Sequence, residues 1–222
     1  WENLTLDHFR FVLFELDRAR VAARNSFILA SGSAMVCSSV AAVVGYVVAR
    51  RRASWLQMVV NLPYALPGIV FALSLILVWI SPPIPGLRLY GTLGVLFLAY
   101  LGRFLALALQ PIAAAWRQVD ASIEEAAEVD GASLGQSLVF VLAPVIAPSL
   151  AVAALLVFLQ ALVELTLSAI LAGSGTETLG WLVFGLEQGG FTTQSAALSA
   201  LIMLALLAPA ALLGLLRRKG EA

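Results

Sequence analysis

The chain has 222 residues, of which 61% are hydrophobic and only 12% charged. A water-soluble domain averages about 45–50% apolar and about 25% charged residues, so an ordinary cytosolic enzyme is excluded. Thirteen basic and thirteen acidic side chains cancel, which removes the electrostatic footprint of a nucleic-acid binder, while a single cysteine and a single histidine exclude an intrachain disulfide and a histidine metal cluster.

Five apolar runs, residues 25–49, 56–80, 91–115, 144–172 and 192–216, hold only two of the 26 charged side chains, Arg103 and Glu164. A bilayer core about 30 Å thick is crossed by roughly 20 apolar helical residues. Helices also satisfy their own backbone groups where lipid cannot. The expectation is an all-α integral membrane protein with five transmembrane helices.

Residues 1–24 precede these runs and read as an external or interfacial lead-in. Thr5 is placed to cap a short helix whose Phe9, Val12, Leu13 and Leu16 form an apolar face, the pattern of a membrane-surface anchor. The chain opens at Trp1, which reads as a fragment or processed product. The first span carries small residues from Ser31 to Ser39 that let helices approach closely, and Cys37 among them reads as inert packing.

In the second span Pro63 and Pro67 lie four residues apart and Gly68 follows. Neither proline donates a backbone hydrogen bond, so a kinked helix is predicted, serving as a packing kink or as a hinge used in gating. Pro82, Pro83, Pro85 and Gly86 then predict a tight, turn-rich connection. Arg103 lies in the middle of the third span and Glu164 in the fourth. An uncompensated charge at such depth costs about 2.5–3.5 kcal/mol on insertion scales, so each must face protein or water. They either pair with each other, or Glu164 lines a translocation path with Thr166 and Ser168.

Between these spans lies the loop 116–143. Asp120, or a capping box on Ser122, starts a short helix through Glu125, Ala126, Ala127 and Val129. Gly131 ends it, a second capping box at Ser133-Leu134-Gly135-Gln136 starts another helix, and Pro144 opens the fourth span. The product is a helix–turn–helix standing off the membrane. It is acidic, with Arg117 set against Asp120, Glu124, Glu125, Glu128 and Asp130. Further on, Gly173-Ser174-Gly175-Thr176 lacks the lysine of a phosphate loop, and the Gly185/Gly189 spacing falls outside the spans.

Arg50, Arg51 and Arg52 follow the first span, Arg117 lies in the long loop, and Arg217, Arg218 and Lys219 follow the last span. Alternating spans put all seven on one side, which the positive-inside rule makes cytoplasmic. Arg88 and the acid-balanced Arg10, Arg18, Arg20 and Arg24 fall opposite. The N-terminus is predicted outside and the C-terminus in the cytoplasm.

The loop resembles the EAA loop of ATP-binding-cassette transporter permeases, whose pattern is E-A-A-x3-G-x9-I-x-L-P. Here Glu125-Ala126-Ala127, Gly131, Val141, Ala143 and Pro144 hold both spacings, with valine for isoleucine and alanine for leucine, and Asp130-Gly131-Ala132 resembles the family's D-G-A turn. Residues 25–216 resemble the five-helix core of type I (MetI-like) importer permeases. Glu164-Leu165 with Gly175-Thr176-Glu177-Thr178-Leu179 is most similar to the ferric-iron branch, although Val163 stands where that branch carries lysine.

The resemblance implies a permease domain over 25–222 in a bacterial inner membrane, moving a small solute, ferric iron first, into the cytoplasm by alternating access. It also implies partners: ATP-binding-cassette ATPase subunits that carry the ATP and magnesium, a second permease half or subunit, and a periplasmic substrate-binding protein. On this reading Ala126 and Ala127 permit close docking on the ATPase, Gly131 permits the turn, and Glu125 caps or pairs with the partner. The chain itself, with no Walker motif and no catalytic triad, is expected to have no ATPase site or other catalytic residue. The rival reading is an ATP-independent secondary transporter or channel, which predicts ion-coupling residues and an inverted repeat.

Overall fold

The computed structural model describes residues 6–81 and 84–220. All regular structure among them is helical. Helix α1 (Asp7–Arg10) passes through a π-helical turn, Phe11–Glu15, into α2 (Asp17–Arg51), a helix of 35 residues. Thr5, the expected cap, lies outside the described residues. Val12 is buried against Ala19 and Ala22 of α2 and against Leu182, Ala197 and Leu198 from the far end of the chain. The lead-in is therefore packed on protein as well as amphipathic.

Small residues shape α2. Ala30, Ala34, Cys37, Ala41 and Gly45 are buried along one stripe, three or four residues apart, so the stripe follows the helical repeat. Helix α5 (Leu93–Gln118) presses into it. A Cβ on Gly45 would come within 3.0 Å of the Trp116 ring, whose indole N–H donates to the Ala42 carbonyl at 2.9 Å. Cys37 is packed as expected, 1% exposed. Phe27, Met35 and Val43, off the stripe, are exposed, as side chains facing lipid would be.

The expected kink in the second span is a complete break. Helix α3 (Ser54–Ala65) and helix α4 (Gly68–Ile80) meet at 97°. Proline disfavours helical backbone in the residue before it. Leu66 accordingly takes φ −73°, ψ 143°, and Pro67 continues extended at ψ 132°. Pro63, inside α3, does not break it.

After α5 comes α6 (Ala121–Val129), the first arm of the loop. The single turn α7 (Leu134–Gln136) follows Gly131 and runs through a π-helical stretch, Ser137–Leu142, into α8 (Ala143–Leu162). The second arm of the expected helix–turn–helix is thus continuous with the fourth span. Pro144 supplies the reason: in an α-helix its ring would crowd the carbonyl four residues earlier, and the wider π-helical turn just before it relieves that contact.

The fourth span is also interrupted, at 163–165, before α9 (Thr166–Leu171); α10 (Leu179–Gln188) and α11 (Thr192–Gly220) complete the chain. Among the described residues, three helical stretches are long and apolar enough to cross a membrane: Asp17–Arg51, Leu93–Gln118 and Ser137–Leu162; the bent α3–α4 pair makes a fourth if counted as one span. The predicted last span falls on α11, whose described apolar part is Thr192–Leu207. Helices α2, α5 and α8 pack on one another as the centre of the bundle.

Candidate functional site

The expected site residues gather at two places. The first is the loop. Asp120, not the Ser122 box, caps α6: its Oδ1 accepts the Ser122 N–H at 2.9 Å. That backbone hydrogen bond holds the Asp120 carboxyl below the usual carboxylate range. Gly131 has φ +85°, a conformation most L-residues resist, and lets the Ala132 N–H reach back to the Ala127 carbonyl at 2.9 Å. The Ser133 capping box forms as predicted, the Ser133 N–H donating to Gln136 Oε1 at 2.9 Å and the Gln136 N–H to Ser133 Oγ at 3.4 Å.

The hairpin is not folded away. Glu125, Ala126, Glu128, Val129 and Asp130 are exposed, Val129 to 86%, and Phe140 beside them to 75%. Ala127 is buried beneath them, where α6 rests on Ser137–Leu142. A shallow groove between Ala126, Asp130 and Val141 runs along this contact. Apolar side chains rimmed by carboxylates and left uncovered are the composition of a docking surface.

Sequence reasoning missed Glu124. It pairs with Arg50 Nε at the end of α2 and accepts from the Tyr46 hydroxyl at 3.1 Å, while Arg50 Nη1 donates to the Val119 carbonyl at 3.0 Å. Each member was visible as a charge, but only the fold brings residues 74 apart in sequence together.

The second place lies where the two helix breaks meet, with Tyr64 and Leu66 exposed on one side of it and Glu164 buried on the other. Arg103 on α5 donates to the Leu66 carbonyl at 3.2 Å, a group that the α3–α4 break leaves without a helical partner, and its guanidinium lies 5.6 Å from the Tyr64 ring centroid. Gly68, first in α4, sits against Thr166, the first residue of α9: a Cβ there would fall 2.7 Å from Thr166 Cγ2. Glu164 turns its carboxylate onto α9, accepting the Leu167 N–H at 2.9 and 3.0 Å and the Ser168 N–H at 3.1 Å.

Arg103 and Glu164 therefore have different partners; the ion pair found among the described residues is Arg50–Glu124. Arg103 satisfies a carbonyl freed by the α3–α4 break, and Glu164 satisfies the amides opening a helix. Gly180 closes the arrangement. Its Cβ would lie 2.6 Å from the Glu164 carbonyl oxygen, so α10 approaches the break backbone to backbone. Close approach is the signal a glycine offers, yet the sequence does not say which of its 17 glycines is needed for it.

About two turns inside the end of α2 opposite Arg50, Asn25 is fully buried and donates to the carbonyls of Gly175 and Glu177, both at 3.0 Å. Ser26 Oγ accepts the Leu179 N–H at 2.8 Å. The connection ahead of α10 is thereby tied to the first span.

The family model for the binding-protein-dependent transport system inner membrane component matches residues 34–219. A putative ABC transporter permease of Streptomyces antibioticus is 35% identical over 69% of this chain and 66% of its own length. The Fe(3+)-transport system permease FbpB 2 of Haemophilus influenzae is 31% identical over 73% of this chain and 32% of its own. The putrescine transport system permease PotI of Escherichia coli is 28% identical over 78% and 63%. The chain thus spans between a third and two thirds of the length of these relatives.

Proposed function

Because this chain belongs to the family of binding-protein-dependent transport system inner membrane components, we propose that it forms one permease half of an ATP-binding-cassette importer. A separate ATPase supplies the energy. A second permease half completes the path, a periplasmic protein delivers the solute, and the cytoplasmic face is the one bearing α6. The observation that carries the reading is the uncovered hairpin of α6 and its Gly131 turn, fixed between the two central helices α5 and α8.

A rigid arm so placed converts movement of a docked partner into movement of the helices it joins. The α3–α4 and α8–α9 breaks, meeting at Arg103, are where the bundle bends. ATP and magnesium belong on the partner in this scheme. Ferric iron is the cargo we propose first. The relative FbpB 2, named for Fe(3+), is 31% identical, and the Glu164-Leu165 and 175–179 signatures resemble that branch. Other relatives are named for putrescine and maltose.

The test is purification of the intact complex from its native membrane. An ATPase is expected to co-purify, to be lost when Gly131 is replaced by valine, and to be retained with asparagine, which visits positive φ readily. Nothing lies within 4 Å of a Cβ at Gly131, so the valine effect reports the turn and its partner rather than a clash within the chain. Solute movement without any ATPase would establish the secondary transporter or channel instead. Accumulation of radioactive ferric iron, compared with putrescine and maltose, tests the cargo.

A further inference from the structure

We propose that α2 is a strut that ties the coupling hairpin on one side of the membrane to the connection 173–178 on the other, so that the two move as one body. This rests on the orientation and the docking role proposed above, and goes beyond them by naming the element that carries the motion across.

Three observations converge on it. At one end of α2, Arg50 holds Glu124 of α6 with Nε and the Val119 carbonyl with Nη1, and Tyr46 adds a hydrogen bond to the same carboxylate. Towards the other end, about two turns inside it, Asn25 grips the carbonyls of Gly175 and Glu177 and Ser26 accepts from Leu179. Between them the helix is uninterrupted, with no proline, whereas the second and fourth spans are both broken. From Asn25 to Arg50 the rise is about 38 Å, close to the thickness of a bilayer with its interfaces.

The contacts at the two ends are of a kind that resists sliding. Arg50 engages two acceptors in different directions from one planar, pre-organised guanidinium, which loses less freedom in holding them than an ammonium on a flexible stem. Asn25 bonds two carbonyls of one loop from a fully buried position. Arg50, Glu124, Asn25 and Ser26 are positioning residues in this scheme, since none need touch the solute.

Electron-spin distance measurements on the complex with its ATPase, in lipid nanodiscs, test the strut. A Cys37→Ala background carries spin labels at Arg51→Cys and Glu128→Cys for one end, and at Arg24→Cys and Ser174→Cys for the other; all four positions are exposed. Both distances are expected to stay the same between the resting complex and one trapped with ATP and vanadate. Glu124→Ala or Arg50→Lys should broaden the 51–128 distribution and leave 24–174 sharp; Asn25→Ala should do the reverse. A shift of either distance on trapping in the otherwise unaltered chain overturns the strut, whatever the variants do. So do variants that leave both distributions unchanged. Failure to recover any ATPase overturns the function proposed above, whereas an ATPase recovered together with a shifting distance overturns the strut alone.

Discussion

At the scale of single residues, close approach and partner choice decide more than residue type. Gly180 and Gly185 share a helix, yet a Cβ on Gly180 meets the backbone of Glu164 and Leu165 at 2.6–3.2 Å, while one on Gly185 meets nothing within 4 Å. Gly180→Ala is expected to destabilise the bundle by about 1–3 kcal/mol, the usual cost of overpacking. Gly185→Ala should be neutral or slightly stabilising. Thermal unfolding in detergent separates the two. Arg103 and Glu164 provide a second case. Because each is held by different backbone groups, Arg103→Ala and Glu164→Ala should each destabilise the bundle, and the double variant should be less stable than either single one. Mutual rescue in the double variant would restore the pairing that their isolation among apolar residues suggested.

At the scale of elements, local chemistry sets each helix boundary, and the partner element sets how sharp it is. Asp120 caps α6, and its carboxyl is held below the usual range by the Ser122 amide. The folded form thus favours the carboxylate. Its contribution is present above the unfolded-state value, about 3.9, and is lost as pH falls through the lower value of the folded state. Protection of the Ser122 amide against hydrogen exchange, relative to its intrinsic rate at each pH, should therefore fall on acidification, and Asp120→Asn should remove that fall. The π-helical stretch before α8 shows the other half of the rule. The spacing of Pro144 within the loop motif was legible, but its effect, welding the second arm of the hairpin to the fourth span, follows from how a proline ring is accommodated inside a continuous helix.

At the scale of the whole molecule, the arrangement is a packed trio, α2, α5 and α8, with broken spans against it, a hairpin at one end and a tied loop at the other. The orientation proposed from the distribution of Arg and Lys is checked with thiols, since the native Cys37 is buried. A membrane-impermeant maleimide is expected to label Glu128→Cys only in inverted vesicles and Ser174→Cys only in right-side-out ones. The opposite pattern would reverse the topology.

The apolar runs, the small residues of α2 between Ser31 and Ser39, the Ser133 capping box and the Gly131 turn were readable along the chain, because each depends on residues within a few positions of one another or on the hydrocarbon thickness of the bilayer; which small residues form the buried stripe, and that Asp120 rather than Ser122 caps α6, were not. The 97° break was only half readable. Pro67 announces that Leu66 leaves the helix, but the angle is set where Arg103 takes the freed carbonyl and Gly68 seats against Thr166. Glu164 as a helix cap, Glu124 as the anchor of the hairpin and Asn25 as the clamp on a distant loop belong to the tertiary structure alone. A buried charge or amide must find a partner somewhere, and where several lie within reach of a folded chain, only packing decides which of them it meets.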